Sequence, residues 1–429
     1  MMKHLPLLLF LVCCWFTRNV MAQDSLSIME CYDLARANYP QINRYGLINQ
    51  SEQFQLNNIG KSWLPQLSVH GKASYQNDIT KLPFDEDMLS SLMPGADIPV
   101  LSKDQYQVTA QLDQTIWDGG MSRSKRALTH AEAKVQKESL ESELYVLNER
   151  VNQLYFGALL QKALISQNTL LQKDLQINID RIGSMMDNGV ANQSDLERMQ
   201  VELLNAQQKE IELKAGHKAF LQMLGAFLNR SLTEETILLL PAPPHRMRNS
   251  AINRPEMRAL TAQREFFQLQ NQQLTAGLMP RFSAFIQGGY GRPALNMLSN
   301  DFKGFYVAGI RLSWNLGKLY TLKNDRREIE TRQKGIELEK ETFLFNTNLR
   351  LLQLDTDIQK MNKLIKTDEN IIRLRSNIKK AAEIKLENGV IAVSDLITEI
   401  NAEDLARQTA AIHRIQYLMN IYNRIHTTN

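Results

Sequence analysis

Two aspartates, Asp195 and Asp395, occupy the same place in a nine-residue segment that occurs twice in the chain. Residues 188–196 and 388–396 are identical at six of the nine positions in a fixed frame. A carboxylate in this position supports two kinds of chemistry. It attracts cations when several copies surround an opening, or it stabilises the first turn of a helix, typically by about 0.3–1 kcal/mol. Both interpretations stay open for both residues.

Each segment also has the residue types of a turn between two helices. Gly189 and Gly389 follow long helical stretches, and helices commonly end at glycine because it tolerates positive φ. Ser194 and Ser394 are predicted to start the next helix, and Ser194 with Glu197 has the spacing of a capping box. We therefore predict two helical hairpin tips, formed by Asn188, Gly189, Val190, Ser194, Asp195, Leu196, Asn388, Gly389, Val390, Ser394, Asp395 and Leu396.

The sequence shows no pattern typical of an active site or a metal site. It contains no nucleophile elbow, phosphate-binding loop or pair of catalytic carboxylates. The histidines form no His-x-x-x-His pair and have no cysteine partner, so no metal ligand is predicted. The net charge of +4 over 429 residues is nearly balanced and indicates no nucleic-acid partner. We therefore predict no catalytic residues, no cofactor and a function other than catalysis.

Residues 1–22 have the pattern of a secretory signal peptide. Their apolar run is too short to span about 30 Å of hydrocarbon, and cleavage is expected after Ala22. The residues around Cys13 fit a lipoprotein signal poorly, so the mature chain is expected to begin near Gln23 without a lipid. No later apolar segment is long enough for a transmembrane helix, so entry into a membrane would require strands.

Two long segments without proline predict two long helices. Proline breaks helix interiors, and the chain has none between Pro99 and Pro241 or after Pro293. At about 1.5 Å per residue, each helix would be roughly 100 Å long, so the helices alone would also fit an ordinary coiled-coil rod. The predicted long helices cover 121–188 and 318–388, with shorter partner helices over 194–225 and 38–63.

Apolar residues along both long helices recur at spacings of four and three, as in a coiled-coil seam. Such seams predict that each helix packs against neighbours along its length. The predicted seam of the first helix consists of Leu140, Leu144, Leu147, Val151, Leu154 and Ala158, and that of the second includes Leu374, Ile378 and Ala381.

Four segments alternate between apolar and polar residues over about ten positions, which is typical of strands that cross a membrane. Trp117 and Trp314 end two of them, so both are candidates for the aromatic belt at a membrane interface. Packing at a strand–helix corner explains these tryptophans equally well. The segments cover 66–75, 106–117, 281–291 and 306–314, and they predict β-hairpins over 66–117 and 281–316.

The order of these elements indicates an internal duplication. Asn38-Tyr39-Pro40-Gln41 matches Asn253-Arg254-Pro255-Glu256, and Trp117-Asp118-Gly119-Gly120 matches Trp314-Asn315-Leu316-Gly317. We predict a first structural repeat over 23–240 and a second over 241–429. Four strands leave two sheet edges, whose unpaired backbone groups cannot face lipid. The strands of one chain must therefore be completed by other copies.

Over essentially the whole mature chain, the sequence resembles the TolC family of outer-membrane efflux proteins. The resemblance rests on the two Asn-Gly-Val…Ser-Asp-Leu turns, on Leu64-Pro65, and on the paired segments of the duplication. It implies an α+β membrane protein that forms a homotrimer. Four β-strands per protomer would contribute to a twelve-stranded outer-membrane β-barrel, and the long helical hairpins would form a periplasmic α-barrel.

The same resemblance supplies expectations for location and partners. It implies an outer-membrane protein with a large periplasmic extension, in contact with outer-membrane lipid. Its tips would dock to a periplasmic adaptor, a membrane fusion protein, that links it to an inner-membrane transporter. Family members close the periplasmic aperture with acidic residues on the second hairpin. Asp395 matches the first of these positions, whereas the second falls on Thr398, which is not acidic and lies beside Glu399.

The function expected from these features is that of a passive exit duct in a tripartite efflux or type I secretion system. The alternative is a soluble periplasmic coiled-coil scaffold or adaptor, which would share the leader and the helices. Such a protein has no use for four alternating strands with aromatic ends. Neither the transported substrate nor the identity of the pump and adaptor follows from the sequence.

Overall fold

The computed structural model describes residues 25–79, 102–243, 252–297 and 299–428. The predicted signal peptide and most of the first hairpin loop lie outside the described residues. The strands are β1 (Ser25–Leu26), β2 (Gln66–Tyr75), β3 (Asp104–Trp117), β4 (Ile237–Leu238), β5 (Arg281–Arg292) and β6 (Lys303–Ser313). The α-helices are α1 (Ile28–Asn38), α2 (Arg44–Lys61), α3 (Met121–Asp187), α4 (Gln193–Leu228), α5 (Pro255–Ala276), α6 (Lys318–Glu387) and α7 (Val393–Thr428). No helix in these ranges combines the length and the apolarity needed to cross a membrane.

Four of the strands form one antiparallel sheet in the order β2-β3-β5-β6. The two predicted hairpins, β2–β3 and β5–β6, are confirmed, and they join each other through β3 and β5. Each inner strand has neighbours on both sides, whereas β2 and β6 each pair on one side only within the described chain. The sheet therefore has two open edges.

Alternation along the strands separates an apolar face of the sheet from a polar face. Val69 lies opposite Ala110 on the apolar face, and His70 lies opposite Thr109 on the polar face. A row of large apolar side chains this exposed requires an apolar environment or a partner. The exposed side chains of the apolar face include Leu67, Val69, Tyr75, Tyr106, Val108, Leu112, Ile286, Tyr290, Tyr306 and Ile310.

The chain forms two compact units, each assembled from separate stretches of sequence. The first unit holds both hairpin tips, and the second holds the four-stranded sheet. Each unit draws on both proposed repeats, so the division into repeats over 23–240 and 241–429 stays a prediction. The first unit comprises Met1–Arg44, Ser139–Met257 and Glu341–Asn429, and the second comprises Tyr45–Glu138 and Arg258–Lys340.

The seam predicted for α3 is confirmed by burial within the first unit. Leu140, Leu144, Leu147 and Val151 are at most 3% exposed. Leu154 is partly buried and packs against a core cluster that also contains Val151 and the fully buried Ala158. Because the spacing of four and three keeps these side chains on one face of the helix, their burial follows from helical geometry.

The seam predicted for α6 is not covered within the single chain, so it stays a prediction. Leu374 and Ile378 are exposed by 52% and 45%, and Ala381 is exposed as well. The buried positions in this part of α6 are Ala382 and Leu386, which lie on a neighbouring face of the helix. Apolar spacing identifies a stripe, but it does not reveal which of two apolar faces meets the other helices of the same chain.

The helix predicted over 38–63 begins later than predicted. α1 ends at Asn38, and Tyr39 is extended, with φ −68° and ψ 128°. Pro40 begins a short 3-10 helix, and α2 starts at Arg44. The proline ring disfavours helical geometry in the residue before it, so the predicted helix is separated from α1, which precedes it, and its α-helical part is Arg44–Lys61.

Candidate functional site

Both repeated turns begin with an asparagine and a glycine that share one backbone geometry. The φ angle is +75° at Gly189 and +69° at Gly389. The side chains of Asn188 and Asn388 donate hydrogen bonds to carbonyl groups four residues earlier, at 2.7 and 2.8 Å. A Cβ atom at either glycine would meet no other atom within 4 Å. Glycine is therefore needed here for its conformation and not for its small size.

In the first turn, the N-cap of α4 is Asn192 and not the predicted Ser194. Asn192 Oδ1 accepts a hydrogen bond from the Asp195 amide at 3.0 Å, and the Asp195 carboxylate accepts from the Asn192 amide at 3.4 Å. The capping box is therefore Asn192 with Asp195, and not Ser194 with Glu197. Asparagine is as good an N-cap as serine, so the spacing alone did not separate the two. Ser194 donates its hydroxyl to Asn192 Oδ1 at 2.7 Å.

In the second turn, α7 begins at Val393 and not at the predicted Ser394. The preceding residue is Ala392, whose side chain cannot accept a hydrogen bond as that of Asn192 does in the first turn. Asp395 is therefore the side chain that caps this turn. Asp395 Oδ2 accepts a hydrogen bond from the Ala392 amide at 3.1 Å. The Asp395 side chain is nevertheless exposed, whereas Asp195 is half-buried. Asp395 therefore stabilises the helix start and also presents a negative charge to solvent.

The remaining tip residues divide into exposed and buried ones. Val190 and Val390 are exposed by 61% and 68%, whereas Leu396 is fully buried. Leu196 is half-buried and packs against the same core cluster as Leu396. The exposed valines are thus accessible to a partner, and the leucines hold the turns in place. That cluster consists of Leu175, Ile182, Met199, Ala206, Ala382, Leu386, Val393, Leu396 and Ile400, from α3, α4, α6 and α7.

A partly buried ion cluster lies beside this apolar cluster. Nζ of Lys379 on α6 lies 2.7 Å from Asp174 of α3 and 3.0 Å from Glu403 of α7. Arg407 pairs with Glu403 at 2.6 Å. The four residues line a cavity of about 280 Å³. Sequence analysis missed this cluster because its members lie far apart in the chain and follow no motif.

The members of the ion cluster shift one another's pKa. Burial alone would lower the pKa of Lys379, but hydrogen bonds with Asp174 and Glu403 outweigh burial and raise this pKa. Burial would raise the pKa of Glu403, but hydrogen bonds with Arg407 and Lys379 outweigh it and lower this pKa. Burial does raise the pKa of the neighbouring Asp404 carboxyl. Lys379 and Glu403 are consequently both charged at neutral pH.

An open groove lies between the first turns of α4 and α7. Its volume is about 420 Å³, and it combines hydroxyl, charged and apolar side chains. Such a mixture does not by itself distinguish the groove from the rest of a protein surface. The groove is lined by Ser194, Glu197, Arg198, Val201 and Glu202 of α4 and by Ser394 and Ile397 of α7.

The two candidate interface tryptophans lie in the second unit, close to the ends of strands. Trp117 is the last residue of β3, and its ring lies 5.9 Å from the ring of Phe282. Trp314 follows the end of β6 at Ser313, so it is not itself a strand residue, and its Nε1 donates to the Leu278 carbonyl at 2.9 Å. The exposed fractions are 42% for Trp117 and 57% for Trp314. Both residues therefore pack at a corner and also present part of the ring outward.

A model of a known protein family matches a little under half of the chain. Residues 31–229 match the family model described as outer membrane efflux protein. The matched stretch contains the first β-hairpin, α3 and the first repeated turn. A comparison with curated protein sequences gave no significant match.

Solved structures show the same fold over nearly the whole chain. The outer membrane protein VceC from Vibrio cholerae has a TM-score of 0.66 at 12% identity, over 94% of this chain and 95% of that chain. CusC, studied for transmembrane channel formation, has a TM-score of 0.67 at 12% identity, with coverages of 94% and 92%. The outer-membrane channel OprN has a TM-score of 0.67 at 12% identity, with coverages of 94% and 89%. At such identities the likeness concerns the fold.

Proposed function

We propose that this chain, which belongs to the outer membrane efflux protein family, is the exit duct of a tripartite efflux or type I secretion system. Three copies would close a twelve-stranded barrel in the outer membrane. Their helices would extend into the periplasm and receive substrate from an adaptor and an inner-membrane transporter. The duct itself would be passive, because the transporter supplies the energy.

The observation that carries this proposal is the open four-stranded sheet with an exposed apolar face. β2 and β6 each leave one row of backbone N–H and C=O groups without a partner in the described chain. In lipid, each unpaired backbone group costs roughly several kcal/mol of free energy. An open sheet is therefore not stable there. Pairing β6 of one copy with β2 of the next removes both edges at once. Twelve strands enclose a lumen wider than side chains can fill.

The polar face of the sheet suits the wall of a water-filled lumen. Arg311 lies 3.3 Å from Asp113, and its guanidinium group lies 4.6 Å above the centre of the Phe285 ring. Gln111 donates to the same Asp113 carboxylate at 2.7 Å. Arg311 and Asp113 are thus paired with each other on the polar face, where a water-filled lumen would solvate them.

The hairpin tips are the surface that we assign to the adaptor. Val190 and Val390 expose apolar side chains on turns that glycine and capping residues hold in one conformation. The groove between the first turns of α4 and α7 adds charged and hydroxyl groups nearby. Three copies of Asp395 would add negative charge at the periplasmic aperture, whereas Thr398 would add none.

The alternative function, a soluble periplasmic scaffold, accounts poorly for the sheet. A soluble protein rarely exposes an apolar patch as large as the row on β2, β3, β5 and β6. The helical hairpins fit either function. The exposed apolar face of the sheet is therefore the feature that favours the duct.

The proposal is tested by placing arginine on either face of the sheet. Ile286 and Gln287 are neighbours in β5 but lie on opposite faces. Arginine on the lipid face of a barrel costs about 2–4 kcal/mol near the midplane. We expect Ile286→Arg to reduce recovery of the protein from the outer-membrane fraction, and Gln287→Arg to leave recovery unchanged. Equal recovery of both variants, or wild-type protein in the soluble fraction, would refute the duct.

A further inference from the structure

The apolar face of the sheet carries one strongly exposed tyrosine on each of its four strands. Tyr75 of β2 and Tyr306 of β6 are exposed by 76% and 77%. Tyr106 of β3 and Tyr290 of β5, between them, are exposed by 46% and 59%. All four lie in the halves of their strands that adjoin the hairpin loops. We refer to these four residues as the tyrosine row.

The tyrosine row is displaced by a constant amount from strand to strand. Asp104 lies opposite Tyr75, and the tyrosine of β3, Tyr106, lies two residues further along that strand. The residue opposite Tyr106 is Arg292, and the tyrosine of β5, Tyr290, is again two residues away. The residue opposite Tyr290 is Gly304, and the tyrosine of β6, Tyr306, is again two residues away. At each step the next tyrosine lies two residues further from the hairpin loop. The row therefore crosses the sheet as a regular diagonal.

A diagonal of aromatic residues is what a tilted barrel requires at a membrane interface. Transmembrane strands are tilted, so residues at one depth are displaced from each strand to the next, and aromatic girdles mark both interfaces. Two residues, about 6.6 Å, over a strand spacing of about 4.8 Å correspond to a tilt of roughly 54°. This tilt is somewhat steeper than the roughly 35–45° of most barrels. The tyrosine row then lies at one depth, on the loop side of the membrane.

We infer that the tyrosine row continues across the subunit interface and sets the register between β6 of one protomer and β2 of the next. The inference rests on the proposed trimeric barrel. With the same two-residue offset beyond Tyr306, Tyr75 of the partner subunit lies opposite Ala308. Ala73 of the partner subunit then lies opposite Ile310. Tyrosines of all three copies form one continuous girdle in this register.

Matching of the two faces restricts the competing registers. Ala308 and Ile310 lie on the apolar face of β6, as Tyr75 and Ala73 do on β2. A slip of one residue would turn the polar residues of β2 toward lipid. The competing registers therefore differ by two residues, with either Gly71 or Tyr75 of the partner subunit opposite Ile310. The Gly71 register corresponds to a shallower tilt of roughly 46°, which lies nearer the usual range. The continuous tyrosine girdle is the observation that favours the Ala73 register.

Disulfide crosslinking of the full-length protein in the outer membrane distinguishes these registers. Ile310→Cys is combined in turn with Ala73→Cys, Gly71→Cys or Tyr75→Cys. Residues directly opposite each other have Cα atoms about 4.5–5.5 Å apart, within reach of a disulfide, whereas a displacement of two residues places them about 7–8 Å apart. The buried Cys31 is common to all variants.

A matched control uses a pair whose register is known within one chain. Ile286 lies opposite Ala308 in the ladder between β5 and β6. Ile286→Cys with Ala308→Cys should form a disulfide inside the monomer under the same oxidation, without covalent dimers or trimers. This control shows that cysteines on the apolar face can be oxidised.

We expect covalent dimers and trimers from Ile310→Cys with Ala73→Cys, well above the yield of the other two pairs. Preferential crosslinking through Gly71→Cys or Tyr75→Cys would overturn the inferred register and leave the proposed trimer intact. If none of the three pairs crosslinks while the control does, light scattering in detergent decides between two outcomes. A trimer would overturn the register alone, and a monomer would overturn the proposed function with it.

Discussion

The ammonium nitrogen of Lys379 lies 2.7 Å from Oδ2 of Asp174, although the two residues are 205 positions apart in the chain. This contact joins α6, which leads into the second tip, to α3, which leads into the first. Glu403 of α7 shares the same ammonium group at 3.0 Å. Because the side chains of Lys379 and Glu403 are only 14% and 6% exposed, loss of one partner leaves the other charge poorly solvated.

Replacement of Lys379 should destabilise the first unit. In Lys379→Met, Glu403 keeps Arg407 but loses its buried partner, so we expect a loss of about 2–3 kcal/mol. Lys380→Met is the matched control, because Lys380 is the exposed neighbour on the same helix. Chemical denaturation followed by circular dichroism measures both variants. Equal stability of the two would show that the cluster contributes nothing.

The effect of Lys379→Met should depend on pH. Glu403 has a lowered pKa in the folded protein, so its contribution is present above about pH 4.3, its unfolded pKa, and is lost as pH falls through the folded value. Lys379 has a raised pKa, so its contribution is present below about pH 10.4 and is lost as pH rises through the folded value. The difference in unfolding free energy between wild type and Lys379→Met should therefore be largest between about pH 5 and 10. A difference that does not fall at all as the pH is lowered below about 4.3 would contradict this origin.

Two glycines of α3 should respond to alanine with opposite signs. A Cβ at Gly157 would lie 2.6 Å from Cε1 of Phe220, so the ring must shift, whereas a Cβ at Gly183 would meet nothing within 4 Å. We expect Gly157→Ala to destabilise the protein by about 1–2 kcal/mol, since overpacking outweighs the gain in helix propensity. Gly183→Ala should stabilise it by up to about 1 kcal/mol. Thermal melts of the two variants test this, and equal shifts would contradict the packing of α3 against α4.

The exposed carboxylate at the second tip should influence ion selectivity. Asp395→Asn removes the charge but keeps an oxygen that can accept from the Ala392 amide, whereas Asp395→Ala removes both. Both variants should reduce cation selectivity, most clearly at low salt, and Asp395→Ala should also lose about 0.3–1 kcal/mol of stability. Asp195→Asn is the control at the first tip and should leave selectivity unchanged. Reversal potentials in planar bilayers under a salt gradient measure the effect. An unchanged reversal potential for Asp395→Asn would show that Asp395 caps the helix and does not influence ion selectivity.

The features that follow local rules were predictable from the sequence. Alternation of period two located the strands, and the α3 seam around Leu144 and Val151 is buried as predicted. Glycine with positive φ ended both helices at the turns, because few other residues adopt that conformation. These features depend on residues close together in the chain, so one sequence carries enough information for them.

The features that the sequence did not decide depend on competition between neighbouring residues or on distant partners. Asn192 and Ser194 are both good N-caps, and only the path of the backbone selects the asparagine. Ile378 lies on an apolar stripe of α6 that the chain itself does not cover. The contact between Lys379 and Asp174 joins residues with no local signal. Each of these depends on tertiary structure that spacing within a short segment does not encode.

The assembly of three chains through the open edges of the sheet is the central claim. Native mass spectrometry of wild-type protein, extracted from the outer membrane in detergent, measures it directly. We expect one species with three times the mass of a chain that begins near Gln23 and carries no lipid. A monodisperse monomer would contradict the trimer, the closed barrel and the exit duct together.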